Sequence, residues 1–282
     1  MSKSKNLVSA NWLHDHLADD DVKIMDGSWY LPQQNRDAIA EYAAGHIPGA
    51  VFFDLDANSD QTSELPHMMP DADKFAEAAA SLGISNSDTV VIYDGAGLMS
   101  AARIWWMFRA FGHEKVFVLD GGLPAWKRTG GSLQKGTVEV PMAQYRAMLD
   151  DGMIADWQDV VQVTEQHDHQ VLDARSAERF KGLAPEPRAG VKSGHMPDAK
   201  NLPFQKLLTE DGVFKSGSEL KRAFEEAGID LTQPVITTCG SGVTAAILSL
   251  GLSELGHSDN KLYDGSWAEW GWRPETAGKI IS

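Results

Sequence analysis

Short apolar runs alternate along the chain with longer segments in which apolar residues recur every three or four positions. The runs at residues 22–25, 51–53, 170–172, 200–202 and 234–238 have the length and β-branched content of buried strands. Residues 73–82, 218–227 and 244–255 have helical spacing, with Ser218 placed to cap the second of these helices. Strands that alternate with helices predict an α/β fold, a parallel sheet covered on both faces.

The pattern occurs twice. Met25-Asp26 returns as Leu172-Asp173, GHIPGA from Gly45 returns as GHMPDA from Gly194, and LDGGLPAW from Leu119 returns as YDGSWAEW from Tyr263. Echoes in one order, each roughly 145 residues apart, indicate two tandem copies of one domain. The expected boundaries are 1–135 for the first domain, 156–282 for the second and 136–155 for a linker, within a Gly-, Lys-, Gln-, Asp- and Met-rich stretch that breaks the pattern from about residue 129.

At 282 residues and 43% hydrophobic, the chain can bury two cores. A formal charge of −15 and a pI near 4.9 leave no basic face for phosphates, so no nucleic-acid partner is expected. No apolar stretch approaches spanning length, and two lysines near the start are not followed by an apolar h-region, so neither a membrane partner nor a cleaved signal is expected. A single cysteine forms no internal disulfide, which points to a reducing, cytoplasmic setting.

That cysteine, Cys239, opens the run CGSGVTA between a strand and a helix. Gly240 and Gly242 let the backbone curl, Ser241 and Thr244 add hydroxyls, and amides at a helix start favour a thiolate. Aligning Ala101-Ala102 with Ala245-Ala246 sets Gly95 opposite Cys239, so one active site is expected, on the second domain. Other features read as structure. His14, His16, His167 and His169 form two H-x-H pairs in polar segments, assigned to solvated surface rather than a metal site. His46 and His195 recur in both copies, which suits a structural hydrogen bond. Met68, Met69, Trp105 and Trp106 read as core. Gly95-Ala96-Gly97 lacks the G-x-G-x-x-G spacing, and no cofactor is implied.

GHIPGA with Tyr42 upstream, the CGSGVTA loop and the YDGSWAEW ending together resemble the tandem rhodanese-type sulfurtransferases, across residues 7–272. The resemblance implies two rhodanese-like domains, each a parallel sheet flanked by helices, and an enzyme. In that chemistry Cys239 takes the sulfur of 3-mercaptopyruvate as a persulfide, releases pyruvate and passes the sulfur to cyanide or to an acceptor thiol such as thioredoxin. By matched position it implies that Arg179 and Arg188 hold the substrate carboxylate, and that Ser241, His67 and Asp56 form a Ser, His, Asp set. Gly240, Gly242, Val243 and Thr244 complete the substrate loop. Planar guanidinium groups suit a carboxylate, and two buried beside Cys239 are expected to favour its thiolate. Neutral Gly240 and Ser241 follow the cysteine where the family's thiosulfate enzymes carry basic residues, which favours the monoanionic keto acid. Thiosulfate turnover and a non-catalytic persulfide carrier remain the alternatives. A cysteine phosphatase lacks support, because Ala245 stands where its phosphate-clamping arginine is required.

Overall fold

The computed structural model describes residues 4–282, which divide into two compact units. The first comprises residues up to Gln61, Met69–Asp150 and Glu210–Phe214. The second comprises Thr62–Met68, Asp151–Thr209 and Lys215–Ser282. Each unit therefore takes in a short segment from the other half of the sequence.

In the first unit, strands β1 (Leu7–Val8), β2 (Val22–Asp26), β3 (Val51–Phe52), β4 (Thr89–Tyr93) and β5 (Val116–Leu119) form one sheet in the order β1-β5-β4-β2-β3. In the second, β6 (Ile154–Ala155), β7 (Gln170–Asp173), β8 (Lys200–Asn201), β9 (Val235–Thr238) and β10 (Asn260–Tyr263) repeat that order as β6-β10-β9-β7-β8. All pairings are parallel, as the alternating pattern predicts. The middle strands are apolar almost throughout because helices cover both sheet faces, so β4 reads TVVIY and all of β9 is buried.

Helices α1 (Ala10–His16), α2 (Ala38–Ala44), α3 (Ala72–Ser81), α4 (Ala101–Ala110) and α5 (Gly122–Arg128) belong to the first unit. Helices α6 (Trp157–Gln166), α7 (Ala177–Phe180), α8 (Gly217–Glu226), α9 (Ala245–Glu254) and α10 (Ser266–Trp270) belong to the second. Helix α4 buries every residue but Arg109, including Trp105 and Trp106. Helix α9 is likewise buried nearly all round. These are the helices that follow β4 and β9, so the loop carrying Cys239 lies between two buried elements and is held rigidly. Helix α8 departs from expectation. Ser216, extended, holds the N-cap position without a side-chain bond, Gly217 enters the helix at φ 53, and Ser218 falls inside the first turn.

The repeated histidines are structural in both copies. His46 Nδ1 bonds Tyr42 O at 2.9 Å and stacks on the Tyr42 ring, and His195 Nδ1 bonds Phe180 O at 2.9 Å and stacks on Phe180. Of the H-x-H pairs, His14 stacks on Trp126 and His16 on Trp12, while His167 and His169 face Asp198 and Asp168.

Residues 129–150 contain no helix or strand yet are fastened to the first unit: Ala143 N donates to Ala80 O, Met148 N to Phe111 O and Asp150 N to Ala110 O. Tyr145 stacks on the buried His113, whose Nε2–H donates to Asp88 O at 3.0 Å and whose Nδ1 accepts from Tyr145 Oη at 3.2 Å. Acceptance at Nδ1 requires the neutral ring, and burial lowers the His113 pKa. Below the ordinary histidine value, about 6.5, the unfolded chain therefore takes up a proton the folded chain refuses, and stability falls as pH falls. A thermal-melting series from roughly pH 7 to 5 should show a smaller loss for His113→Gln than for the native chain, and equal slopes would contradict the assignment.

Candidate active site

Strand β9 ends at Thr238 in the middle of the second sheet, and Cys239 is the next residue, at the carboxyl end where open α/β sheets form their crevices. Its side chain and backbone are almost covered, with 2% exposed. Gly242, at φ 76, bends the chain toward α9.

The start of α10 holds this loop from beneath. Ser266 Oγ accepts from Cys239 N (3.2 Å) and Gly242 N (3.0 Å) and donates to Tyr263 O (2.8 Å). Trp267 N donates to Cys239 O at 3.0 Å and Ala268 N to Gly240 O at 2.9 Å. Two loop amides are therefore engaged by a hydroxyl and do not address the sulfur. Of the loop residues expected to bind substrate, Gly240, Val243 and Thr244 keep amides that Ser266 does not take, whereas Gly242 N is taken.

Ser241 Oγ lies 3.0 Å from His67 Nδ1, and both residues are buried, at 8% and 5% exposure. The segment Thr62–Met68 belongs to the second unit, which is how a histidine far from Cys239 in sequence reaches its loop. His67 has a left-handed backbone, φ 58, which for a residue other than glycine costs about 1 kcal/mol or more and persists only where the surroundings impose it. Asp56 belongs to the first unit, where its Oδ2 accepts from Trp29 Nε1 at 3.0 Å.

Arg179, on α7, reaches the loop. A Cβ added to Gly240 would lie 3.0 Å from Arg179 Nη2, so glycine at this position gives the guanidinium its place. The same guanidinium bonds Glu186, through Nη2 to Oε2 at 2.5 Å and Nε to Oε1 at 3.3 Å. Arg188 is exposed, contrary to the expectation of two buried arginines, and lines an open pocket of about 200 Å³ with Glu64, Leu65, Pro66, Ala189, Val191, Ala268 and Trp272. The segment that bears it, Pro185-Glu186-Pro187-Arg188, runs through irregular chain after α7.

The first unit shows what replaces the nucleophile. Strand register pairs Asp26 with Tyr93 and Asp173 with Thr238, so the residue matching Cys239 is Asp94, not Gly95. Leu123 N donates to Asp94 O as Trp267 N donates to Cys239 O, which fixes the same correspondence from the other side. The first loop is one residue longer, and alignment from the helix alone hides the shift. Asp94 gathers the loop amides on its own carboxylate: Ala96 N and Gly97 N donate to Oδ1, and Met99 N, Ser100 N and Ala101 N to Oδ2, at 2.7–3.0 Å. Where Ser266 supports the second loop, the first has Gly122, at nearly the same φ of 53, and a Cβ there would meet Asp94 O at 2.5 Å. One loop is organised by an internal carboxylate, the other by an external hydroxyl that leaves its first position to a thiol. Sequence reasoning missed Asp94, Ser266 and Glu186. The signal for Ser266 lay in the one position, Gly122 against Ser266, where the repeated DG-x-x-x-x-W motif changes from no side chain to a hydroxyl.

Comparison with known proteins agrees with this architecture. The Rhodanese-like domain family matches residues 9–129 and again 156–271. A mouse 3-mercaptopyruvate sulfurtransferase is 47% identical over 94% of this chain and 91% of its own length. The Arabidopsis thaliana thiosulfate/3-mercaptopyruvate sulfurtransferase 1, mitochondrial, is 42% identical over 98% of this chain and 78% of its own. Among solved structures, SseA from Escherichia coli, described as a 3-mercaptopyruvate sulfotransferase, superposes with a TM-score of 0.86 at 41% identity, covering 94% of this chain and 99% of that one. With two matched domains, two sheets of one strand order and a single loop that carries a thiol, the chain belongs to the rhodanese-like domain family.

Proposed function

We infer that this chain is a 3-mercaptopyruvate sulfurtransferase working through a persulfide on Cys239. The observation that carries the reading is a lone thiol at the end of β9, in a loop whose next residue packs against a guanidinium and whose Ser241 is hydrogen-bonded to a buried histidine.

The chemistry follows from these groups. Arg179 and Arg188 supply planar donors for the carboxylate of the keto acid. The Cys239 thiolate attacks the substrate sulfur, the S–S bond forms and the C–S bond breaks, and the electron pair leaves as the pyruvate enolate. The amides of Gly240, Val243 and Thr244 are suited to the charge that moves across the loop, while Gly242 shapes it. A proton then reaches the enolate carbon through Ser241 and His67, releasing pyruvate. Asp56 completes the Ser, His, Asp set by its match to the family pattern. In the second half-reaction an acceptor thiolate attacks the outer sulfur and Cys239 leaves as thiolate. A dithiol such as thioredoxin suits this step, because its second thiol can resolve the acceptor persulfide. The cycle needs Cys239 reduced between turnovers, which fits the cytoplasm. No helix among the described residues is long and apolar enough to cross a membrane.

Thiosulfate is the second reading, supported by the Arabidopsis relative whose name includes both substrates. The neutral Gly240 and Ser241 favour the monoanion. Steady-state release of pyruvate without any protein partner, with kcat/KM higher for 3-mercaptopyruvate than for thiosulfate, is the expected result. A higher value for thiosulfate, or a single turnover only, overturns it.

A further inference from the structure

The charge environment of the Arg179 guanidinium is built from residues that the reaction scheme does not use. The side chain of Glu186 is 4% exposed and bridges two arginines. Its Oε1 accepts from Arg175 Nη1 at 2.8 Å, and both its oxygens accept from Arg179. Arg175, wholly buried, is bound in turn by the carboxylate of Asp173 at 2.7–3.2 Å, donates to Gly194 O and lies over the ring of Trp267. Two guanidinium groups and two carboxylates thus make a formally neutral chain that runs from the end of β7 to the loop of Cys239.

Nothing in the repeat requires this chain. In the first unit the residue matching Asp173 is Asp26, and its carboxylate bonds Ser28, which stands where Arg175 does in the second. A serine suffices for the fold in place of Arg175, and where the first unit has an exposed Arg36–Glu41 pair near Gly95, the unit that carries the thiol has one buried carboxylate bridging two guanidinium groups. Pro185 and Pro187 flank Glu186 and fix the backbone on both sides, so the carboxylate is presented with little freedom to lose. Beyond Arg179, the other guanidinium expected at the substrate, Arg188, shares its pocket with Glu64.

Resting on the sulfurtransferase reading, we propose that Glu186 is a specificity-determining residue: it neutralises Arg179 at the Cys239 loop and so selects a monoanionic sulfur donor over a dianionic one. A guanidinium already paired with a buried carboxylate keeps its directional donors for one substrate carboxylate while its net attraction for a second charge is cancelled. Arg179 Nη1, which takes no part in the Glu186 bonds, is the donor left for that carboxylate. Removing the Glu186 charge leaves one uncompensated positive charge beside the loop, felt twice as strongly by thiosulfate as by 3-mercaptopyruvate.

The test compares kcat/KM for both donors in native protein, Glu186→Gln and Glu186→Asp. For Glu186→Gln the ratio of thiosulfate to 3-mercaptopyruvate should rise by about tenfold, through a lower KM for thiosulfate, and thiosulfate turnover should become more sensitive to salt. Glu186→Asp, which keeps the charge, should leave the ratio near the native value even where both rates fall. Equal losses for both donors in Glu186→Gln would mean that the residue only braces the loop, and overturn the proposal. Should Glu186→Gln not fold, inhibition of the native protein by sulfate and by acetate decides. Comparable inhibition supports a neutralised site, and sulfate inhibiting tenfold more tightly contradicts it. Native protein that releases no pyruvate from 3-mercaptopyruvate defeats the underlying reading instead, so the two failures are distinct.

Discussion

Replacing His67 with alanine should lower kcat for 3-mercaptopyruvate by about 10²–10⁴-fold with little change in KM, the range over which a positioned proton donor or acceptor acts. The reason is geometric. His67 Nδ1 is 3.0 Å from Ser241 Oγ, two residues from the thiol, and both residues are buried away from water as an alternative proton carrier. Carbon protonation of the enolate is then the step that slows. Ser241→Ala should produce a loss of similar size, and the double variant little more than either single one, because residues acting as one relay are not additive. Pre-steady-state pyruvate release with the three variants checks this. An unchanged kcat for His67→Ala would show that the pair is only structural, held for the loop and not for the proton.

Replacing Asp94 with alanine should be the most damaging single change to the stability of the first unit. Five backbone amides donate to its carboxylate, and alanine leaves them without that acceptor, three of them, on Gly97, Ser100 and Ala101, at buried positions. Charge-assisted bonds contribute about 1.5–3 kcal/mol each but not additively, so a total loss of roughly 3–5 kcal/mol is a conservative expectation. Asp94→Asn retains one acceptor oxygen and should fall between. Urea unfolding followed by far-ultraviolet circular dichroism measures the difference. A midpoint within experimental error of the native chain would mean that the loop is organised by packing and that the carboxylate is incidental.

The two loops also show where sequence reasoning stops. The alternation of strands and helices, the duplication and the placing of Cys239 after a strand were legible because they rest on local apolar pattern and on repeated motifs. The proximity of His67 to Ser241 was not in the spacing, since 174 residues separate them, and it entered through family resemblance. Asp94 was hidden by a single inserted residue: alignment from the helix puts Gly95 opposite the thiol, and the hydrogen-bond register of β2 with β4 and β7 with β9 restores the match. Ser266 and Glu186 act through tertiary contacts that no local pattern encodes. The misplaced cap of α8 has a similar origin, because Ser216 and Ser218 flank Gly217 and propensity alone does not choose between them. The irregular stretch after α5 read as a connection by composition, yet its amides bond α3 and α4 backbone, which only the folded chain reveals.

The account stands most directly on Cys239 as the atom that receives sulfur. Intact-mass spectrometry of the protein after brief exposure to 3-mercaptopyruvate, before any acceptor is added, should show the gain of one sulfur atom, reversed by dithiothreitol and missing in Cys239→Ser. A native chain that releases pyruvate over many turnovers yet never gains that mass, or a Cys239→Ser variant that gains it equally, would contradict the account.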